Sequence, residues 1–118
     1  MSSKVFFAHP VVERSKETGQ LRRKFPIAPA QEYGEVVEIF ENGNLATSKS
    51  ISKNFIKQVF SEQDFDPVTD YVVVAGNPTL VLYMWSVVLE EFGVEPHLLQ
   101  WNRDNRNYDV IRGGRNGN

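Results

Sequence analysis

The stretch 70–93 reads DYVVVAGNPTLVLYMWSVVLEEFG: a short apolar run, a Gly-Asn-Pro turn, and a longer apolar segment closed by glycine. Residues 71–75 are apolar at every position, the pattern of a strand buried on both faces in the middle of a parallel sheet. Gly76 lets the backbone turn sharply, Asn77 suits a helix N-cap, and Pro78 suits the first helical turn, where its missing N–H costs nothing. The helix this predicts runs to Phe92, with Gly93 at the usual stop position.

The same reading places weaker elements on either side. Residues 5–8 form a short strand stopped by Pro10, with Val11 and Val12 prolonging it after a break. Residues 13–33 are polar, interrupted by Gly19, Pro26 and Pro29, and keep neither helical nor strand period, so they read as a long loop. Residues 35–40 (EVVEIF) are β-branched and aromatic, and the Asn42-Gly43 pair after them is a turn signal. Glu38, between Val36 and Phe40, fits a partly covered face better than a catalytic acid, and residues 45–47 offer a brief returning strand. A helix then starts near Ser48 or Ser50, with Ile51, Phe55, Ile56, Val59 and Phe60 on one stripe. The aspartates of 64–70 end it; they lack the glycine and terminal glutamate of a calcium loop, and no metal site is expected. Residues 97–101 and 108–112 form a hairpin across the polar NRDNRN turn, pairing Trp101 with Tyr108. Residues 113–118 (GGRNGN) read as a flexible tail.

Strands alternating with helices predict an α/β fold: one small domain over 1–112, carrying 13–33 as a long basic loop. Its sheet is mainly parallel with three to five strands, two main helices and a C-terminal β-hairpin. The carboxyl ends of parallel strands converge on the edge where such sheets usually bind ligands. That edge gathers Asn42, Asn44, Gly76, Asn77, Thr79, Asn102 and Arg103, and His9 as well if the first strand is parallel.

Composition narrows the function classes. With 118 residues, 41% of them hydrophobic, the chain suits one domain with a real core. It has no cysteine, which removes disulfides, thiolate metal sites and cysteine nucleophiles. No segment has a signal-peptide core, and the apolar run 80–89 is about half the roughly 20 residues that cross a bilayer, so a cytoplasmic protein without a membrane anchor is expected. The net charge of −2 hides a segregation: there is no Lys or Arg between Lys57 and Arg103. Cations crowd the first part, notably Arg22, Arg23 and Lys24 beside Leu21 and Phe25, which offers a contact for a phosphate or an acidic partner.

Within 80–89 only Ser86 is polar, so the helix is apolar nearly all the way round and one sheet covers one side of it. Tyr83, Met84, Trp85 and Val88 are the candidates for a homodimer contact; the alternative is covering within the chain by residues 21–29. Catalytic chemistry has no support: His9 and His97 fall at opposite ends of the sheet, neither has metal-ligand spacing, and Ser86 is expected to bond to the preceding turn. The Gly76 turn has one glycine and is neither a Rossmann fingerprint nor a P-loop. The leading expectation is a non-enzymatic binding or accessory protein without a cofactor, acting on a protein partner and dimeric. A nucleotide or anion site at 76–79 is the alternative, and nucleic-acid binding through the basic loop and tail ranks third.

Three segments carry a resemblance: Tyr33-Gly34-Glu35-Val36-Val37, the stretch 70–78, and Leu98-Leu99-Gln100-Trp101-Asn102-Arg103 followed by Tyr108. Here the chain resembles small α/β proteins encoded by tailed bacteriophages, over roughly its last two thirds. The resemblance implies a host-cell cytoplasm and an accessory or host-directed role with a viral or host protein as partner, and it assigns no residue a role.

Overall fold

The fold was obtained as a computed structural model, which describes residues 3–40 and 53–114. Its main sheet has five strands: β1 (Lys4–Phe7), β4 (Glu35–Glu38), β5 (Tyr71–Val73), β6 (His97–Asn102) and β7 (Asn107–Ile111). They lie in the order β4-β1-β5-β6-β7, the first four parallel and β7 antiparallel to β6. Strand order therefore reverses at β1: the chain first steps to β4 on one side, then crosses to β5 on the other. Right-handed crossovers in opposite directions place their helices on opposite faces, and this is what is seen.

One face carries α2 (Lys53–Glu62) and α3 (Pro78–Phe92). Phe6, Ala8 and Val72 from the strands meet Ile56 and Phe60 of α2 and Leu80, Met84, Val87 and Val88 of α3. Phe60 and Phe65 stack at 4.6 Å, with Phe6 edge-on to both. The alternating residues Val5, Phe7, Val73 and Leu99 point to the other face, where Ala30, Phe25, Tyr33 and Tyr108 cover them. That second cover is a correction to the long loop expected over 13–33. A small antiparallel hairpin, β2 (Val12–Arg14) and β3 (Leu21–Arg23), leads into a one-turn helix, α1 (Ile27–Gln31). Val12 accordingly opens a separate sheet instead of prolonging β1.

The stretch 70–93 folds as its pattern predicts. Asn77 is the N-cap of α3, its side-chain oxygen accepting from the Thr79 N–H at 2.9 Å, Pro78 opens the helix, and Gly93 stops it in the left-handed conformation at φ 71°. Asp70, 1% exposed, is a tie the sequence did not reveal. Its carboxylate accepts from the backbone N–H of Lys4 and of Asp66, both at 2.8 Å, and pins the start of β1 beside the start of β5. At the far edge Trp101 and Tyr108 are register partners with ring centroids 5.0 Å apart. Gly113, expected to start the tail, is tied to the sheet by its N–H, which donates to His97 Nδ1 at 3.0 Å. The turn at Asn42-Gly43, the strand over 45–47 and the start of the second helix lie outside the described residues.

Candidate functional site

The point where strand order reverses lies between the carboxyl ends of β1 and β5, and His9 and Gly76 meet there. The His9 Nδ1 lies 2.8 Å from the Pro10 carbonyl oxygen, which can only accept, so the proton sits on Nδ1. Its Nε2 is thereby left as an acceptor, and the backbone N–H of Asn77 donates to it at 2.9 Å. Gly76 makes this approach possible: its φ is +101°, and a Cβ there would stand 2.7 Å from His9 Nε2. Both the Asn77 and Thr79 N–H groups at the start of α3 are thus engaged within the chain.

The other strand-end residues do not converge on this spot. Asn102 folds back on the β6–β7 turn, its oxygen accepting from the Asp104 and Asn105 N–H groups and its amide donating to Asp109. With exposed Arg103 it lines a groove of 630 Å³ formed by residues of the β6–β7 hairpin. The cavity beside Gly76, of 580 Å³, is lined instead by His9, Val11, Lys24, Phe25, Val74, Ala75, Pro78, Val81 and Leu82. Thr79 is exposed at the helix start. Asn42 and Asn44 lie outside the described residues.

The basic segment is less free than its composition implies. Across the hairpin Arg22 meets Glu13 at 3.0 Å, and Arg23 meets Glu38 at 2.6 Å. Glu38 is therefore the counter-charge of a covering hairpin. Only Lys24 of the three keeps its charge for solvent, its Nζ 5.9 Å from the Phe25 ring centroid. Among the described residues no three His, Asp or Glu side chains gather as a metal site would require.

On α3 the expected contact residues divide. Met84 and Val88 are fully buried in the core, so neither can face a partner, while Tyr83 and Trp85 are half-buried. Ser86, expected to bond to its own helix turn, instead accepts from Lys53 of α2 and donates to Glu90. The hydrogen bond from Lys53 also holds the Glu90 carboxyl below the usual carboxylate range. That flank faces α2. The opposite flank exposes Leu82 (65%), Leu89 (39%) and Phe92 (41%), with Trp85 between them. These four recur at intervals of three, four and three, a continuous apolar seam along the helix. The spacing was readable in the sequence, but an all-round apolar helix hides which stripe the core takes.

Among the described residues no helix is long and apolar enough to cross a membrane. The chain matches the model of one protein family, described as Phage Pam3 gp32-like protein, over residues 3–112. No curated protein and no solved structure matches it. A match that spans every strand and helix described above makes the chain a member of the Phage Pam3 gp32-like protein family.

Proposed function

With this phage family as the premise, we propose that the protein is a non-enzymatic accessory protein of the infected-cell cytoplasm that works through protein contacts and does so as a homodimer. The observation that carries the reading is the apolar seam Leu82, Trp85, Leu89 and Phe92, of which Leu82, Leu89 and Phe92 are exposed and Trp85 is half-buried. A two-fold dimer uses the same patch on both subunits, so the patch must be self-complementary. A seam with three-four spacing meets that requirement when two copies of α3 pack antiparallel. Charge favours the same arrangement. The last turn of α3 carries Glu90 and Glu91 and no cation, at the helix end where negative charge is least favourable. Antiparallel packing sets those carboxylates beside the positive end of the neighbouring helix. A stable interface covers about 800 Å² per partner, so the four seam residues would form its centre with Thr79, Ser86 and Glu90 at the rim.

The chain contains no cysteine, so introduced thiols report this geometry without background. A Leu82→Cys, Leu89→Cys variant should form disulfide-linked dimers under mild oxidation, because antiparallel pairing about a two-fold between Trp85 and Ser86 brings Leu82 against the partner subunit's Leu89. A variant that stays monomeric on oxidation while folding normally contradicts the reading.

A further inference from the structure

The cavity at the strand-order reversal is a second site, separate in chemistry from the helix seam. Seven of its lining residues, Val11, Phe25, Val74, Ala75, Pro78, Val81 and Leu82, present hydrocarbon. At 580 Å³ it falls within the range of about 300–1,000 Å³ typical of small-molecule pockets, and it lies where open α/β sheets bind their ligands. Two lining residues carry polar side chains, His9 and Lys24. Both ring nitrogens of His9 are committed, to the Pro10 carbonyl and the Asn77 N–H. Its imidazole therefore closes the helix start against a phosphate and serves the cavity as a wall. Lys24 differs: no carboxylate pairs with its ammonium among the described residues, and no acidic residue lines the cavity.

From this combination we infer that the cavity binds a small amphipathic carboxylate, its hydrocarbon body against Phe25, Val74, Val81 and Leu82 and its anionic end toward Lys24. A polyphosphate fits poorly, since hydrocarbon walls would leave most of its charge unpaired. A neutral apolar molecule would leave the cation unused. Leu82 belongs to the seam as well, so the cavity borders the proposed interface; its other walls come from the hairpin, the sheet edge and the start of α3.

Chain-matched probes test it. Decanoate, 1-decanol and decyltrimethylammonium are titrated into the full chain, with binding followed by NMR shifts of the Phe25 and Val74 amides and by calorimetry. Decanoate should bind saturably and more tightly than decanol, and the cationic probe most weakly. Lys24→Gln should weaken decanoate roughly fivefold, the scale of an exposed ion pair, and leave decanol unchanged. Val81→Trp, filling the cavity, should remove binding of all three, with thermal melting confirming that each variant is folded. If Val81→Trp does not fold, Phe25→Ala serves, enlarging the cavity and weakening decanoate and decanol alike. No saturable decanoate binding, or binding indifferent to both Lys24 and the cavity walls, overturns the inference, as does tightest binding of the cationic probe.

Discussion

Replacing Gly76 by alanine tests the contact that closes the strand-end edge, and its cost can be worked out from geometry. The φ of +101° is one an L-residue adopts only with strain, about 1–3 kcal/mol. The added Cβ would also stand 2.7 Å from His9 Nε2 and 3.0 Å from Cδ2, so the ring has to move. Moving it breaks the Asn77 N–H bond, and a half-buried donor left without its acceptor costs roughly another 1–3 kcal/mol. Gly76→Ala alone should therefore destabilise by about 2–6 kcal/mol. His9→Ala removes the acceptor directly, at about 1–3 kcal/mol. In the double variant the alanine methyl meets no ring and the Asn77 bond is lost once, leaving the backbone strain and one unmet donor, so the two costs should fall short of additivity by about 1–3 kcal/mol. Urea unfolding followed by the fluorescence of Trp85 and Trp101 measures all four corners of the cycle. Additive costs, agreeing within about 0.5 kcal/mol, would show that the imidazole does not occupy the space beside Gly76.

Three further outcomes follow from single groups. Asp70→Ala should cost about 2–6 kcal/mol in urea unfolding, because it leaves the half-buried Lys4 and Asp66 N–H groups without their acceptor; Asp70→Asn, which keeps one oxygen, should cost less. Tyr108 donates to the Pro26 carbonyl, and burial pushes its phenol up to about 12. Its folded value exceeds the ordinary 10 or so, so its contribution is complete below that pH and is lost as pH rises from about 10 toward 12. Tyr108→Phe should lose about 1 kcal/mol at neutral pH and flatten that alkaline decline. His97 lies below the usual histidine value, chiefly through desolvation and then through the Arg112 charge, so folding favours its neutral ring. That contribution is complete above about pH 6.5 and is lost as pH falls through the depressed folded value; a stability profile of His97→Gln should lack this acidic slope.

What could be read before the structure depended on how far each signal reaches along the chain. The strand, turn and helix of 70–93 are local: an apolar run, an N-capping asparagine, a proline and a stopping glycine act within a few residues of themselves. The Trp101–Tyr108 pairing was similarly legible, because a hairpin turn fixes its own register. Residues 13–33 were not, since a three-residue strand has too few positions to display a period. Their order comes from contacts with distant parts of the chain: Phe25, Ala30 and Tyr33 pack into the core under the sheet, and Arg23 meets Glu38. The carboxyl ends of the parallel strands do share one edge with His9 on it, but the contacts made there were hidden for the same reason. Nothing in Gly-Asn-Pro announces that a histidine 68 positions earlier accepts from its backbone. On α3 the surplus of apolar surface was evident, while its direction was set by Lys53 reaching Ser86 and Glu90, which no helical period reveals. Two of the four expected contact residues, Met84 and Val88, accordingly belong to the core, and it is Leu82 and Leu89 that are exposed.

The most direct test of the account is sedimentation equilibrium of the wild-type chain beside a Leu82→Glu, Leu89→Glu variant. Both substitutions are on the exposed seam and should leave the circular dichroism unchanged. The account predicts a wild-type mass twice that of the 13.5 kDa chain at micromolar concentration, and a single-chain mass for the variant. A wild-type protein that remains a single chain up to high concentration, or a variant that still sediments as a dimer, would contradict it.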